Sequence, residues 1–158
     1  MINRMLDTTL IYFVFALLVG IITVLVIPRK VYKHYFLYGL MFGGIGDTLT
    51  ATVFRYLNLI RFKNMGVFNV LGLFSIWTPI TWMFAFMLFF YFLPVRKAFL
   101  VPYILAFAGI NYAIGLVMEQ FGLFEFIGNY RYFAPITFIT WYVVSTWVYM
   151  RNGDIKLK

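Results

Sequence analysis

The sequence predicts an all-α polytopic membrane protein with five transmembrane helices, N-terminus outside and C-terminus inside. Three observations point there. Of 158 residues, 64% are hydrophobic and only 11% are charged, with a mean hydropathy of +0.91. The apolar residues fall into five long runs. The basic residues gather mostly between those runs, as Arg29-Lys30-Lys33, Arg61-Lys63, Arg96-Lys97 and Arg151-Lys156-Lys158. A soluble domain carries roughly 45–50% apolar and about 25% charged residues. A chain this small leaves much of its surface outside its core, so apolar material on this scale needs lipid as its solvent. The lipid bilayer is the first expected partner.

Crossing the hydrocarbon core takes about 20 apolar residues. The first expected span covers residues 9–27 and stops at Pro28-Arg29-Lys30. Arg4 followed by an apolar run has the look of a signal peptide. The run is too long for such a segment and lacks a small-x-small cleavage site, so a retained helix is expected. The second span is expected over residues 35–60 and the third over 67–93. Both exceed the minimum, so tilt or bending is anticipated, and Pro79 would bend the third. The fourth covers residues 98–121. The fifth, residues 133–150, is the shortest of the set. Residues 1–158 thus form a single transmembrane domain with no repeat or low-complexity tract.

Positive charge marks the cytoplasmic side of a membrane protein. With the first connection and the C-terminus inside, that side holds Arg29, Lys30, Lys33, Arg96, Lys97, Arg151, Lys156 and Lys158. The outside then holds Arg4, Arg61, Lys63 and Arg131, beside Asp7, Glu119 and Glu125. The net charge of +8 does not mean nucleic acid, because the basic residues form separated clusters rather than one face. The absence of cysteine excludes disulfides and thiolate chemistry, and the single histidine, His34, leaves no metal site of the histidine type. No cofactor is identified. Ser75 and Ser145 have no histidine at matching depth, so no hydrolase triad is expected.

The informative residues are polar ones at membrane depth. Asp47 lies 13 residues after His34 and 14 before Arg61. At 1.5 Å per residue that is roughly 20 Å from either flank, near the bilayer midplane. A central aspartate costs about 2.5–3.5 kcal/mol to insert, so it should face protein or a polar cavity. Asn111, Thr78 and Thr81 fall at similar depth and, with Tyr112, complete a candidate ligand or ion site. Further out, Arg55 lies 21 residues past His34 and Glu119 lies 22 past Lys97, which suggests an interhelical ion pair. Gly39, Gly43 and Gly46 on the second span, and Gly109, Ala113 and Gly115 on the fourth, are candidates for close helix packing or for a homo-oligomer. "GGIGDT" is not a phosphate loop, since no strand precedes it and no Walker lysine follows.

The Gly46-Asp47 pair, the "YFLPVRK" after the third span and the "MEQFGLFEF…NYRYFAP" across the last connection resemble a family of small five-helix membrane proteins of spore-forming Firmicutes. The likeness would run from about Pro28 to Trp147. It implies a glycine–acid pair on the second helix and a glutamate, Glu119, late on the fourth. "GNYRYF" stands where that family usually pairs tyrosine with tryptophan. The resemblance implies no activity. The residues themselves suggest binding or passage of a small hydrophobic ligand or ion around Asp47 in a bacterial cytoplasmic membrane. The alternative is a non-catalytic scaffold or accessory subunit whose polar residues only specify packing.

Overall fold

The computed structural model describes residues 2–152, with side chains from residue 10 onward. Lys156 and Lys158 lie outside the described residues, as do the side chains of Arg4 and Asp7. Five helical rods make up most of the chain: α1 (Ile2–Val26), α2 (residues 29–56), α3 (Trp77–Tyr91), α4 (Lys97–Gln120) and α5 (Tyr130–Asn152). Four short strands accompany them: β1 (Ile60–Phe62), β2 (Asn69–Val70), β3 (Phe74–Ser75) and β4 (Phe124–Phe126).

The helices α4 and α5, of 24 and 23 residues, are long and apolar enough to cross a membrane. The third expected span is corrected, because α3 has 15 residues and the segment before it holds only one 3-10 turn, Gly66–Phe68, and short strands. Asn58, Asn64 and Leu71 take left-handed φ values of 54°, 52° and 52°, with Gly66 and Gly72 at 52° and 75°. A right-handed helix cannot pass through such residues. The run from Val67 instead folds into the β2–β3 hairpin, where the Gly72 amide donates to Asn69 Oδ1 at 2.8 Å. Pro79 therefore lies in the first turn of α3, where no intrahelical donor is lost, rather than at a bend. The prolines inside helices are Pro102 and Pro135. The fifth span is not the shortest; α5 is eight residues longer than α3.

The short helix is the central one. Phe86, Met87, Phe89 and Phe90 are almost wholly buried, and α3 exposes no large apolar side chain among the described residues. α1 lies against it through Gly20, facing the Phe84 ring, and through the Thr23 hydroxyl. Tyr103 of α4 donates to the Phe89 carbonyl at 2.7 Å. Tyr142 and Tyr149 of α5 stack on Phe86 and Phe90, with centroids 5.0 and 4.5 Å apart. The outer rods show apolar side chains to the surroundings instead, including Leu18, Leu25, Val53, Val101, Ile110 and Trp147. Apolar surface spread over four rods fits contact with lipid.

In α2, residues Gly39–Ile45 form a π-helical segment between the α-helical stretches Arg29–Tyr38 and Gly46–Tyr56. Bonding from i to i+5 adds a residue to the turn, so the faces that follow are displaced by about 100° from a continuous α-helix. The Gly39–Gly43 face meets α3, with Gly43 against the Trp82 backbone and Gly39 against Met83 and Met87. Beyond the π segment, Gly46 meets the Trp141 indole of α5. The close-packing residues Gly39, Gly43 and Gly46 are thus split between two neighbours.

One end of the bundle carries a cap. β1 and β4 pair antiparallel, with Arg61 opposite Glu125, and bury Ile60 and Phe126 inward. The Tyr12 hydroxyl of α1 donates to the carbonyls of Lys63 and Leu123, fastening the cap to the bundle. Lys63 Nζ lies 2.8 Å from Glu125 Oε2, and Arg61 lies at 3.9 Å. The hydrogen bond from Lys63 holds the Glu125 carboxyl below the ordinary carboxylate range. A lowered folded-state value gives stability above the unfolded carboxylate pKa, lost as pH falls through the folded value. Acidification should therefore loosen the cap, seen as faster hydrogen exchange at residues 60–62 and 124–126. Glu125→Gln should exchange fast at neutral pH and lose that pH dependence.

Candidate functional site

Beneath the cap lies a cavity of about 810 Å³, bounded by α1, α2, α3, α4 and α5. That is within the range of pockets that hold small organic ligands. Ile60, Phe62, Phe124 and Phe126 of the cap strands form its roof. Its walls are mainly apolar and aromatic, and include Phe42, Phe54, Trp82, Phe138 and Trp141. Trp82 stacks on Phe138 with centroids 6.0 Å apart. Trp141 is edge-on to Phe42, and its indole N–H donates to the Phe42 carbonyl at 3.3 Å.

Asp47, Thr78, Thr81 and Asn111 all line this cavity, so four sequence candidates from three helices do converge. Their bonding differs from expectation. Asn111 does not meet Asp47; its amide donates to the Phe107 carbonyl at 2.7 Å and to the Tyr142 hydroxyl. The Thr81 hydroxyl donates back to the Trp77 carbonyl at 2.7 Å. Asp47 Oδ2 and Thr78 Oγ1, in contrast, are sealed from solvent with no hydrogen-bond partner among the described residues. Leaving a buried polar group unmatched costs about 1–3 kcal/mol, so such groups call for an explanation. Both residues line the cavity.

Tyr112 is displaced from the site. One residue turns it away from Asn111, and its hydroxyl donates to the Arg131 carbonyl at 3.1 Å while its ring meets Phe126. The Arg55–Glu119 pair is also corrected. Glu119 Oε2 instead lies 3.4 Å from Arg131, and Arg55 makes no ion pair among the described residues. The connection from α4 to α5 folds back through β4 and sets Arg131 beside Glu119, whereas matched depth alone said nothing of azimuth. Among the fourth-span small residues, Gly115 meets the Phe126 ring, while Gly109 and Ala113 face outward with open space at Gly109. His34 bonds the Tyr149 hydroxyl at 3.2 Å, at the end of the bundle opposite the cap.

Residues that sequence reasoning missed include Trp141, Thr137 and Tyr142. Depth counting could have placed Tyr142 near Asn111, since both lie near mid-helix, but not the rotation that joins them. Tyr142→Phe should leave Asn111 with one bond and destabilise the bundle by about 1–3 kcal/mol. The check is a lowered thermal midpoint in micelles. No family, curated protein or solved structure matches the chain, so the site is interpreted from its own chemistry.

Proposed function

We propose that the chain is a five-span integral protein of a bacterial cytoplasmic membrane, N-outside and C-inside, whose capped cavity binds a small ligand. The single observation that carries this reading is a roomy cavity whose wall includes Asp47 and Thr78, each with a buried oxygen that has no partner among the described residues. A carboxyl retained only to tie helices together would be expected to bond a neighbouring helix. The reading of five spans is supported by exposed apolar faces along the outer rods and by α3 being shielded by them, which relieves α3 of matching the bilayer thickness. Arg29, Arg96, Lys97 and Arg151 sit at the end opposite the cap, in keeping with that end inside. Among the described residues the cavity wall carries one carboxyl within a mainly apolar and aromatic lining, which suits binding.

The second reading, a packing scaffold, draws support from the Asn111–Tyr142 bond and from the outward face at Gly109 and Ala113, which suits a homo-oligomer. Native mass spectrometry of protein released directly from membranes separates the two. A bound species retained by the natural chain and lost with Thr140→Phe, which narrows the cavity mouth, supports ligand binding. Bare protein, alone or as an oligomer, under gentle release would sink it and favour the scaffold.

A further inference from the structure

The cavity has a particular charge and a particular door. Among the described residues, Asp47 is the only acidic or basic side chain at its wall; no described lysine, arginine or histidine lines it. An anionic ligand would meet a carboxyl and no compensating cation in an apolar surround, which is strongly unfavourable. Asp47 and Thr78 both line the wall, and each keeps an oxygen without a hydrogen-bond partner among the described residues, Oδ2 and Oγ1, which a small side-chain rotation would turn toward a donor group. Indole faces beside them, at Trp82 and Trp141, are the aromatic surfaces that best attract cations. The roof is closed by the buried Ile60 and Phe126, so entry from the capped end is blocked. On the side, the cavity reaches Leu49 and Val53 of α2 and Phe133 and Ile136 of α5, each between 51% and 62% exposed. These exposed lining residues mark an opening of the cavity between the two helices, on the cap side of the contact of Gly46 with Trp141.

We propose that this cleft takes a lipophilic organic amine laterally from the bilayer, holding the nitrogen at Asp47 and Thr78 and the hydrocarbon body among the aromatic walls. The inference rests on the ligand-binding reading above and adds the ligand's class and its route. An amine supplies the donors that both oxygens lack and the charge that the carboxyl can match. An alcohol supplies one donor and no charge. A carboxylate supplies neither.

The test uses the full chain in lipid nanodiscs with Trp147→Phe, which removes an indole exposed to lipid. Three probes share one bromine-tipped alkyl chain and end in an amine, an alcohol or a carboxylate; bromine at the cleft quenches Trp82 and Trp141. The expected result is quenching by the amine at about tenfold lower concentration than the alcohol, a preference of about 1.4 kcal/mol. The carboxylate should quench no more than it does in the Thr140→Phe background. Asp47→Asn should erase the advantage of the amine, and Thr78→Val should reduce it, which keeps the test decisive if Asp47→Asn does not fold. Equal quenching by amine and alcohol, both suppressed by Thr140→Phe, would overturn the amine class and leave the cleft as a ligand site. Quenching by all three that Thr140→Phe leaves unchanged would overturn the cleft itself.

Discussion

Gly43→Val is expected to disrupt the bundle more than any other single change on α2. A Cβ at this position falls against the Trp82 carbonyl and the Met83 amide, which are backbone atoms of the central helix and cannot swing aside. The only relief is separation of α2 from α3, which would unpack Phe42 from Phe86 and Phe90. Overpacking a tight contact costs about 1–3 kcal/mol and occasionally more, and here the obstacle on the far side is rigid. The natural comparison is Gly109→Ala, where a Cβ meets nothing within 4 Å. Better helix propensity should make that change neutral or stabilising by up to about 1 kcal/mol in the monomer. Thermal unfolding in micelles, followed by tryptophan fluorescence, should show a large fall for Gly43→Val and none for Gly109→Ala. A fall for both would mean that the Gly109 face is also a contact, as in an oligomer.

Asp47→Leu should have the opposite sign, and that sign is informative. A buried oxygen without a partner detracts from stability by about 1–3 kcal/mol, and an aspartate at membrane depth costs a comparable amount to insert. Leucine removes both penalties with the same side-chain branching, and the adjoining cavity takes up its larger volume, so the ligand-free bundle should become more stable while binding is lost. This is the trade expected where a site keeps an unfavourable group for function. Were Asp47 a structural tie between helices, the same substitution would instead lower stability, and the packing-scaffold reading would gain. Asp47→Asn is the gentler companion, keeping shape and hydrogen-bonding capacity while removing charge.

Much of this arrangement was legible in the sequence because it depends on period and depth. Counting residues from the basic flanks placed Asp47, Asn111, Thr78 and Thr81 at one level, and all four line one cavity. Small residues at Gly39 and Gly43 pointed to a close helix contact, and α3 supplies it. Azimuth was less accessible. The π segment at Gly39–Ile45 turns Gly46 and Asp47 away from the Gly39–Gly43 face by about one residue's rotation, and no sequence signal marks such a segment. Arg55 was matched to Glu119 by depth, yet the fold-back through β4 brings Arg131 closer. The β2–β3 hairpin was hidden because hydropathy counts Val67, Leu71 and Leu73 as helix material. Asn64, Gly66, Asn69 and Gly72 were the turn signals that should have outweighed them.

The central claim is that Asp47 faces a cleft occupied by a ligand rather than the protein itself. An experimental structure of the natural chain purified in native lipid, without detergent exchange, tests it most directly. The expected result is elongated density between α2 and α5, reaching from Leu49 and Ile136 inward to Asp47 and Thr78. The contradicting result is α2 and α5 closed upon each other, with Asp47 bonded to a side chain of a neighbouring helix and no space beside it.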